Sequence, residues 1–334
     1  MTLSTLLKNL QDTLNDAILY DASTPCLIVY DQNTPLSKML TKTYLQLIPQ
    51  AQSFDFDQTD SNVYLKAIDQ LPPKSLVILI QSSSFRLNEF RFRIELFKKQ
   101  LKVIEHPHLN RIYENEYETF VNSLAYDKNY YHRVGKKLKS LVDTCQQIKL
   151  VGPNSELIYS SSFEDSKLNI GDYLPMKNVG GQFPIGEVFS EPKDLTCVNG
   201  SLEIFAFGDT SFCVHTCESP FILHIENGLI VKTENIPNEF EKILDRITEV
   251  EQRVWIRELG FGLNRAFTRQ NRVSDIGAYE RLCGIHLSIG MKHSMYLKEG
   301  FPKKKSRFHV DAFPMIDEVW VDDVLVFGKN EYLI

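Results

Sequence analysis

The chain has 334 residues, of which 43% are hydrophobic and 24% charged, and its formal net charge is −6. These values are typical of a globular protein and exclude a disordered or fibrous chain. The acidic balance gives no reason to expect a nucleic acid as partner. No stretch is apolar and long enough to span a bilayer, so we expect no membrane association either.

The six cysteines include no CxxC pair, and their spacing is not that of a disulfide framework. Most of them lie in apolar, strand-like runs, as reduced thiols do. The first twenty residues place leucines at helical spacing, but Lys8, Asp12 and Asp16 interrupt any signal-peptide core. The sequence therefore predicts a reduced, cytoplasmic protein.

Apolar strands alternate with helices over residues 1–147. The predicted strands are 26–30, 76–80 and 102–106, and the predicted helices are 36–47, 88–101 and 117–147. This alternation indicates an α/β domain with a mostly parallel sheet that is covered on both faces. The segment has no GxGxxG or GxxxxGK[ST] motif, so nothing in it points to a nucleotide ligand.

The pattern changes after residue 147. Short strand-like segments are separated by turn dipeptides such as Asn199-Gly200 and Asn227-Gly228, which is typical of an antiparallel meander. These segments are 148–160, 194–207, 211–217, 220–226 and 228–233, and a helix is predicted over 237–255. We therefore predict an α/β domain over 1–147, followed by an α+β domain over 148–334 that carries the functional site.

Five side chains of the metal-ligand type lie in four short segments of the second domain. His309 and Asp311 are two residues apart, so an extended backbone directs both to one side. His286 lies in a run of small and apolar residues, while Glu187 and Glu258 lie in apolar surroundings where an unpaired carboxylate is costly. Each residue alone has an ordinary structural explanation, but the five together predict a metal site.

The residues themselves leave two chemistries open. Two histidines and three carboxylates suffice for two divalent ions that polarise a carbonyl and activate a water. His286, His309 and Asp311 alone would form the two-histidine-one-carboxylate triad that suits non-haem Fe(II). The choice depends on whether Glu187 and Glu258 are ligands.

The four segments that carry these residues resemble, in the same order, motifs of the aminopeptidase T and aminopeptidase S family of metallopeptidases. That family shows NxPxGEVFTAP, ELGxGxN, GTxHxAxG and HxD stretches. The corresponding segments here are GQFPIGEVFSEP (181–192), ELGFGLN (258–264), CGIHLSIG (283–290) and FHVD (308–311). The resemblance covers residues 148–334 well, whereas the first domain is similar only in its general alternation of strands and helices.

The resemblance implies that metal is bound by Glu187, Glu258, His286, His309 and Asp311. It also implies a two-metal exopeptidase with Zn, Co or Mn, which removes N-terminal residues from short peptides and is usually a homodimer. The substrate is accordingly expected to be a short peptide or another small molecule.

The sequence departs from the family pattern at several positions. His293 stands where the peptidases have a tyrosine at the metal centre, and Tyr296 follows three residues later. A histidine there can ligate a metal or act as a general base, so His293 is our predicted catalytic residue. Ser190 and Glu191 replace a threonine and an alanine. The short chain also fits the related dihydroxypyridine dioxygenases, for which the Fe(II) triad is the alternative prediction.

Overall fold

The structure is a computed structural model that describes residues 3–87, 90–292, 296, 298 and 307–334. The chain forms two compact units, Met1–His132 with Gly171–Ile185 and Arg133–Ile170 with Gly186–Ile334. The sequence predicts one domain boundary, near residue 147. In the structure the boundary lies inside a helix, between His132 and Arg133, and the first unit also includes Gly171–Ile185. Hydrophobic periodicity marks where helices give way to strands, but it does not encode which sheet a helix or loop joins.

The first unit is built on a five-stranded parallel sheet. Its strands are β1 (Cys26–Tyr30), β2 (Gln52–Asp55), β3 (Leu76–Ile80), β6 (Lys102–His106) and β10 (Gly180–Gln182), in the order β10-β6-β3-β1-β2. The hairpin β4 (Arg86–Leu87) and β5 (Phe90–Arg91) and the helices α1 (Leu3–Asp12), α2 (Pro35–Leu47), α3 (Ser61–Asp69), α4 (Phe92–Lys98) and α5 (Tyr117–Ser123) complete it. The parallel sheet predicted from the sequence is confirmed.

Alternate residues of these strands pack against two helices on one face of the parallel sheet. The contacting residues are Leu27, Val29, Val77, Leu79 and Val103 of the strands, with Tyr64 and Ile68 of α3 and Phe92 and Leu96 of α4. Every residue of β3 is buried, as expected for a strand in the middle of a parallel sheet.

Two of the predicted helices differ from the structure. The helix predicted over 88–101 is confined to α4, because Arg91 pairs with Arg86 in a hairpin and Gln100 adopts a left-handed φ of 60° after the helix. The helix predicted over 117–147 is two helices, α5 and α6 (Lys128–Val142). The side chain of Asp127 accepts a hydrogen bond from the backbone N of Tyr130 and so starts a new helix.

The second unit is built on a large antiparallel sheet. Its strands are β7 (Ile148–Val151), β8 (Glu156–Tyr159), β9 (Lys167–Asn169), β11 (Glu187–Ser190), β12 (Val198–Gly208), β13 (Val214–Glu226), β14 (Leu229–Glu234), β15 (Ile256–Gly262), β16 (Gly284–Ile289), β17 (Val310–Pro314), β18 (Glu318–Val321), β19 (Val324–Gly328) and β20 (Glu331–Tyr332). The main path runs β20-β19-β18-β7-β8-β12-β17-β16-β15-β11-β9, and β13 and β14 continue from β12. Helices α7 (Asn238–Glu251) and α8 (Ile276–Tyr279) accompany the sheet.

The strands predicted over 211–217 and 220–226 form one strand, β13. Its register against β12 shifts between Ile204 and Ala206, which pair with Phe221 and Thr216 respectively. This irregularity accommodates Pro220, which has no N–H to donate to the ladder. Among the described residues, no helix combines the length and the apolar character needed to cross a membrane.

A buried histidine at the end of β6 gives the first unit a testable pH dependence. The Nε2 atom of His106 lies 2.8 Å from the Tyr44 hydroxyl, and burial lowers the pKa of His106 to about 3. Because the unfolded chain binds this proton near pH 6.5, the stabilisation is complete above pH 6.5 and is lost as the pH falls towards 3.

We expect His106→Gln, which keeps a polar partner for Tyr44, to remove this dependence. Between pH 7 and pH 5, the wild-type free energy of unfolding should fall by about 2 kcal/mol more than that of the variant. Urea unfolding followed by circular dichroism measures both. Parallel pH profiles would show that His106 does not resist protonation in the folded state.

Candidate metal site

The antiparallel pairing brings three of the predicted ligands to one face of the sheet. Glu187 of β11 lies opposite Gly262 of β15, and Gly260 of the same strand lies opposite His286 of β16. Because residues two apart in a strand share a face, Glu187 and His286 point to the same side. The register of β15 shifts between Ile256 and Leu259, and the irregular stretch contains Glu258.

The remaining two predicted ligands lie on the next strand. Asp311 of β17 lies opposite Ser288 of β16, and Ser288 is two residues from His286, so Asp311 joins the same face. His309 directly precedes β17, and its Nε2 atom is 3.2 Å from Oδ1 of Asp311. The Ser288 hydroxyl also accepts a hydrogen bond of 3.0 Å from the backbone N of Glu258, which ties the irregular part of β15 to β16.

Glu187, Glu258 and His286 form a closed group. One potential ligand atom from each lies within 4.8 Å of the others, and all three residues are buried. His286 Nε2 is 3.4 Å from Oε1 of Glu187 and 3.6 Å from Oε1 of Glu258. It has no hydrogen-bond partner among the described residues, although His286 is only 1% exposed.

Gly260 provides the space for the imidazole ring of His286. A Cβ atom at this position would lie 2.0 Å from Cε1 of His286, far inside a van der Waals contact. Any side chain at this position would therefore displace the ring. Gly260, the first glycine of the ELGFGLN segment, is therefore required by the position of His286 on the neighbouring strand.

The electrostatics of the group are those of an acidic site that attracts cations. Burial raises the pKa of Glu187, and the negative charges of Glu258 and Asp311 raise it further. The charges of Arg281 and His286 act in the opposite direction but do not cancel the shift. Burial alone would lower the pKa of His286, but the Glu258 and Glu187 carboxylates outweigh it and the pKa is raised. In the same way, Asp311 outweighs burial and raises the pKa of His309 to about 9.

These features fit a divalent cation. An unpartnered imidazole nitrogen beside carboxylate oxygens is a donor set suited to Zn, Mn or Fe(II). A cation would also compensate carboxylates whose burial is otherwise costly. The residues that could hold it are Glu187, Glu258 and His286, with His309 and Asp311 adjacent on β17.

Two buried arginines near this face were not predicted from the sequence. Nε of Arg257 lies 2.5 Å from Oε1 of Glu191, and its Nη1 donates to the carbonyl of Met291. Glu191, where the peptidase motif has an alanine, is thus half of a buried ion pair. An arginine inside an apolar strand signals such a partner, because a charge is rarely buried without one.

The second arginine, Arg281, precedes β16 and faces the metal-site group. Its Nη2 atom is 3.7 Å from Oε2 of Glu187, and its Nη1 atom donates to the carbonyl of Gly277 and contacts Glu280. In the sequence, the signal for this arginine is its place in the segment YERLCGIH, five residues before His286.

The predicted catalytic residue His293 lies outside the described residues, so its role remains a prediction. Tyr296 is described and buried, and its hydroxyl donates to the backbone carbonyl of Asp165 at 2.8 Å. Burial raises the pKa of this hydroxyl. Tyr296 therefore uses its hydroxyl in a structural contact.

No family model matches the sequence, and a search of curated proteins returns no match. The solved structures that share the fold include two enzymes. The 2,5-dihydroxypyridine dioxygenase from Pseudomonas putida KT2440 has a TM-score of 0.63 at 13% identity, covering 100% of this chain and 98% of that chain. Wild-type AmpT, aminopeptidase T, from Thermus thermophilus has a TM-score of 0.60 at 11% identity, covering 99% of each chain. The predicted likeness to aminopeptidase T is thereby confirmed at the level of the fold.

The position of the His286 ring can be tested through Gly260. We expect Gly260→Ala to displace the ring and to weaken Zn²⁺ or Mn²⁺ binding on the order of 10- to 100-fold, as other disturbances of ligand orientation do. Gly328→Ala is the matched control, because its added Cβ would make ordinary contacts with Leu333 at 3.4 Å and Leu325 at 3.8 Å. Isothermal titration calorimetry measures both, and equal affinities in the two variants would contradict the proposed role of His286.

Proposed function

We propose that this chain is a metal-dependent hydrolase that removes N-terminal residues from short peptides. The single observation that supports it best is the composition of the closed group. Among the described residues, the set that converges within 4.8 Å contains both glutamates and His286. A site that assembles Glu187 and Glu258 with a histidine corresponds to the peptidase-like ligand set, whose glutamates the Fe(II) triad does not need.

The proposed roles follow from the positions of the side chains. Glu187, Glu258 and His286 would hold the cation, with Asp311 and His309 completing the ligand set that the family resemblance implies. When bound, a divalent metal lowers the pKa of a coordinated water and polarises the peptide carbonyl. The buried carboxylates of Glu187 and Glu258 keep the site electronegative, which favours a substrate with a protonated N-terminus.

Iron chemistry is the second candidate, and a specific feature favours it. His309 and Asp311 are a close pair on the same sheet face as His286, which is the arrangement that a two-histidine-one-carboxylate Fe(II) site needs. A dihydroxypyridine dioxygenase is among the structures that share the fold. In this alternative, Glu187 and Glu258 are neighbours of the metal and not its ligands.

Metal dependence and one glutamate separate the two candidates. We expect hydrolysis of a dipeptide panel to be abolished by a chelator and restored by Zn²⁺, Co²⁺ or Mn²⁺. Glu258→Gln should lower the rate on the order of 100-fold or more, because it removes a charged ligand. Glu203→Gln is the control, since the Glu203 carboxylate accepts hydrogen bonds from Asn154 and is not part of the closed group.

The opposite outcome is equally specific. If protein purified without added metal holds iron, Glu187→Ala retains that iron and no dipeptide is cleaved, the hydrolase proposal is wrong. Oxygen consumption with a dihydroxypyridine would then establish the second candidate.

A further inference from the structure

Arg281 places a fixed positive charge inside the candidate metal site. The residue is only 6% exposed, and guanidinium groups stay protonated in proteins. Its Nη2 atom is 3.7 Å from Oε2 of Glu187. A buried cation beside a cluster of buried carboxylates neutralises part of the charge that would otherwise attract metal ions.

The two carboxylate oxygens of Glu187 face different side chains. Oε1 is 3.4 Å from Nε2 of His286, on the side of the closed group, and Oε2 faces Arg281. A carboxylate can bridge two metal ions by offering one oxygen to each. With Arg281 beside its second oxygen, Glu187 can offer the first oxygen to one ion, while the guanidinium occupies the position of a second cation.

The arginine is held where it is. Its Nη1 atom donates a 2.7 Å hydrogen bond to the carbonyl of Gly277 and contacts the carboxylate of Glu280. The Glu280 side chain is 23% exposed, so water screens its charge more than the charges of Glu187 and Arg281. One hydrogen bond and one ion pair thus hold Arg281 in its buried position beside Glu187.

The fixed charge of Arg281 also opposes a second cation. A further ion beside Oε2 of Glu187 would lie close to the guanidinium, and two positive charges near each other in a buried site repel strongly.

We propose that Arg281 replaces the second metal ion, so that this site binds one divalent cation per chain. This differs from the two ions that the family resemblance implies. The proposal rests on the metal site of the proposed function, and it is independent of which reaction the site catalyses.

Metal stoichiometry tests the proposal without any substrate. Metal-free protein titrated with Zn²⁺ in a calorimeter should bind one ion per chain. Arg281→Met removes the charge and keeps a long apolar side chain, so this variant should bind two Zn²⁺ ions. Its affinity for the second ion should be at least about tenfold higher than that of the wild type. Arg281→Lys keeps the charge and should bind one.

Arg269→Met is the matched control, because it removes another partly buried guanidinium from the same unit. Nη2 of Arg269 donates to the carbonyl of Ile316, and Arg269 is not part of the closed group. This variant should bind one ion. If Arg281 only anchored the segment before β16, Arg281→Met would also bind one ion, and that result would overturn the proposal.

A measurement on the wild type alone keeps the proposal testable if Arg281→Met does not fold. Loading with Mn²⁺ should give the electron paramagnetic resonance spectrum of an isolated ion at every Mn²⁺ ratio. Two ions per chain with a spin-coupled spectrum would overturn the proposal even if the hydrolase activity were established. A single ion with no peptidase activity would leave the proposal intact and disprove the proposed function.

Discussion

The second unit is organised around the cost of burying charge on one face of an antiparallel sheet. Glu187, Glu258 and Asp311 are all buried, and a carboxylate in such a place is stable only when a cation or hydrogen-bond donors accompany it. Nearby carboxylates raise the pKa values of His286 and His309, and Arg281 adds a positive charge beside Glu187. A metal ion bound here would compete with protons for the two imidazoles, because an imidazole must be neutral to ligate.

The sheet satisfies this constraint through its register. Small residues lie opposite the functional ones: Gly262 opposite Glu187, Gly260 opposite His286 and Ser288 opposite Asp311. Gly260 leaves room for the His286 ring, as the contact distance shows directly, whereas Gly262 leaves room for the backbone of Arg281 and Leu282. The opposite side of the same strands carries apolar residues, such as Val188, Phe261 and Leu287, that belong to the core. The alternation of side chains between the two faces of these strands therefore produces both the core and the candidate site.

Much of this arrangement could be inferred from the chain alone. The alternation of apolar runs with helices was enough to predict β1, β3 and β6 and their parallel pairing, because buried parallel strands have a simple composition. The i, i+2 spacing of His309 and Asp311 placed them on one side of an extended segment. The glycine-flanked Glu187, Glu258 and His286 were found because polar residues in apolar runs need a partner.

Other features depend on contacts between segments distant in sequence. The ion pair between Arg257 and Glu191 joins residues 66 positions apart, and no periodicity reports it. The shifted register of β15 arises from its pairing with β16, and the return of Gly171–Ile185 to the first unit arises from β10 pairing with β6. The break between α5 and α6 was missed for a local reason, since the capping side chain of Asp127 lies within an otherwise helical pattern.

The same sheet face can serve more than one chemistry, and charge is what distinguishes them. Structures of a dioxygenase and of an aminopeptidase resemble this fold to nearly the same degree, so the backbone does not select between them. Selection would then lie with the side chains around the predicted ligands, which affect how many cations the face could hold. Arg281 adds such a charge next to Glu187 without altering any predicted ligand. On our proposal, this one arginine before β16 would change how many cations the predicted ligands can hold.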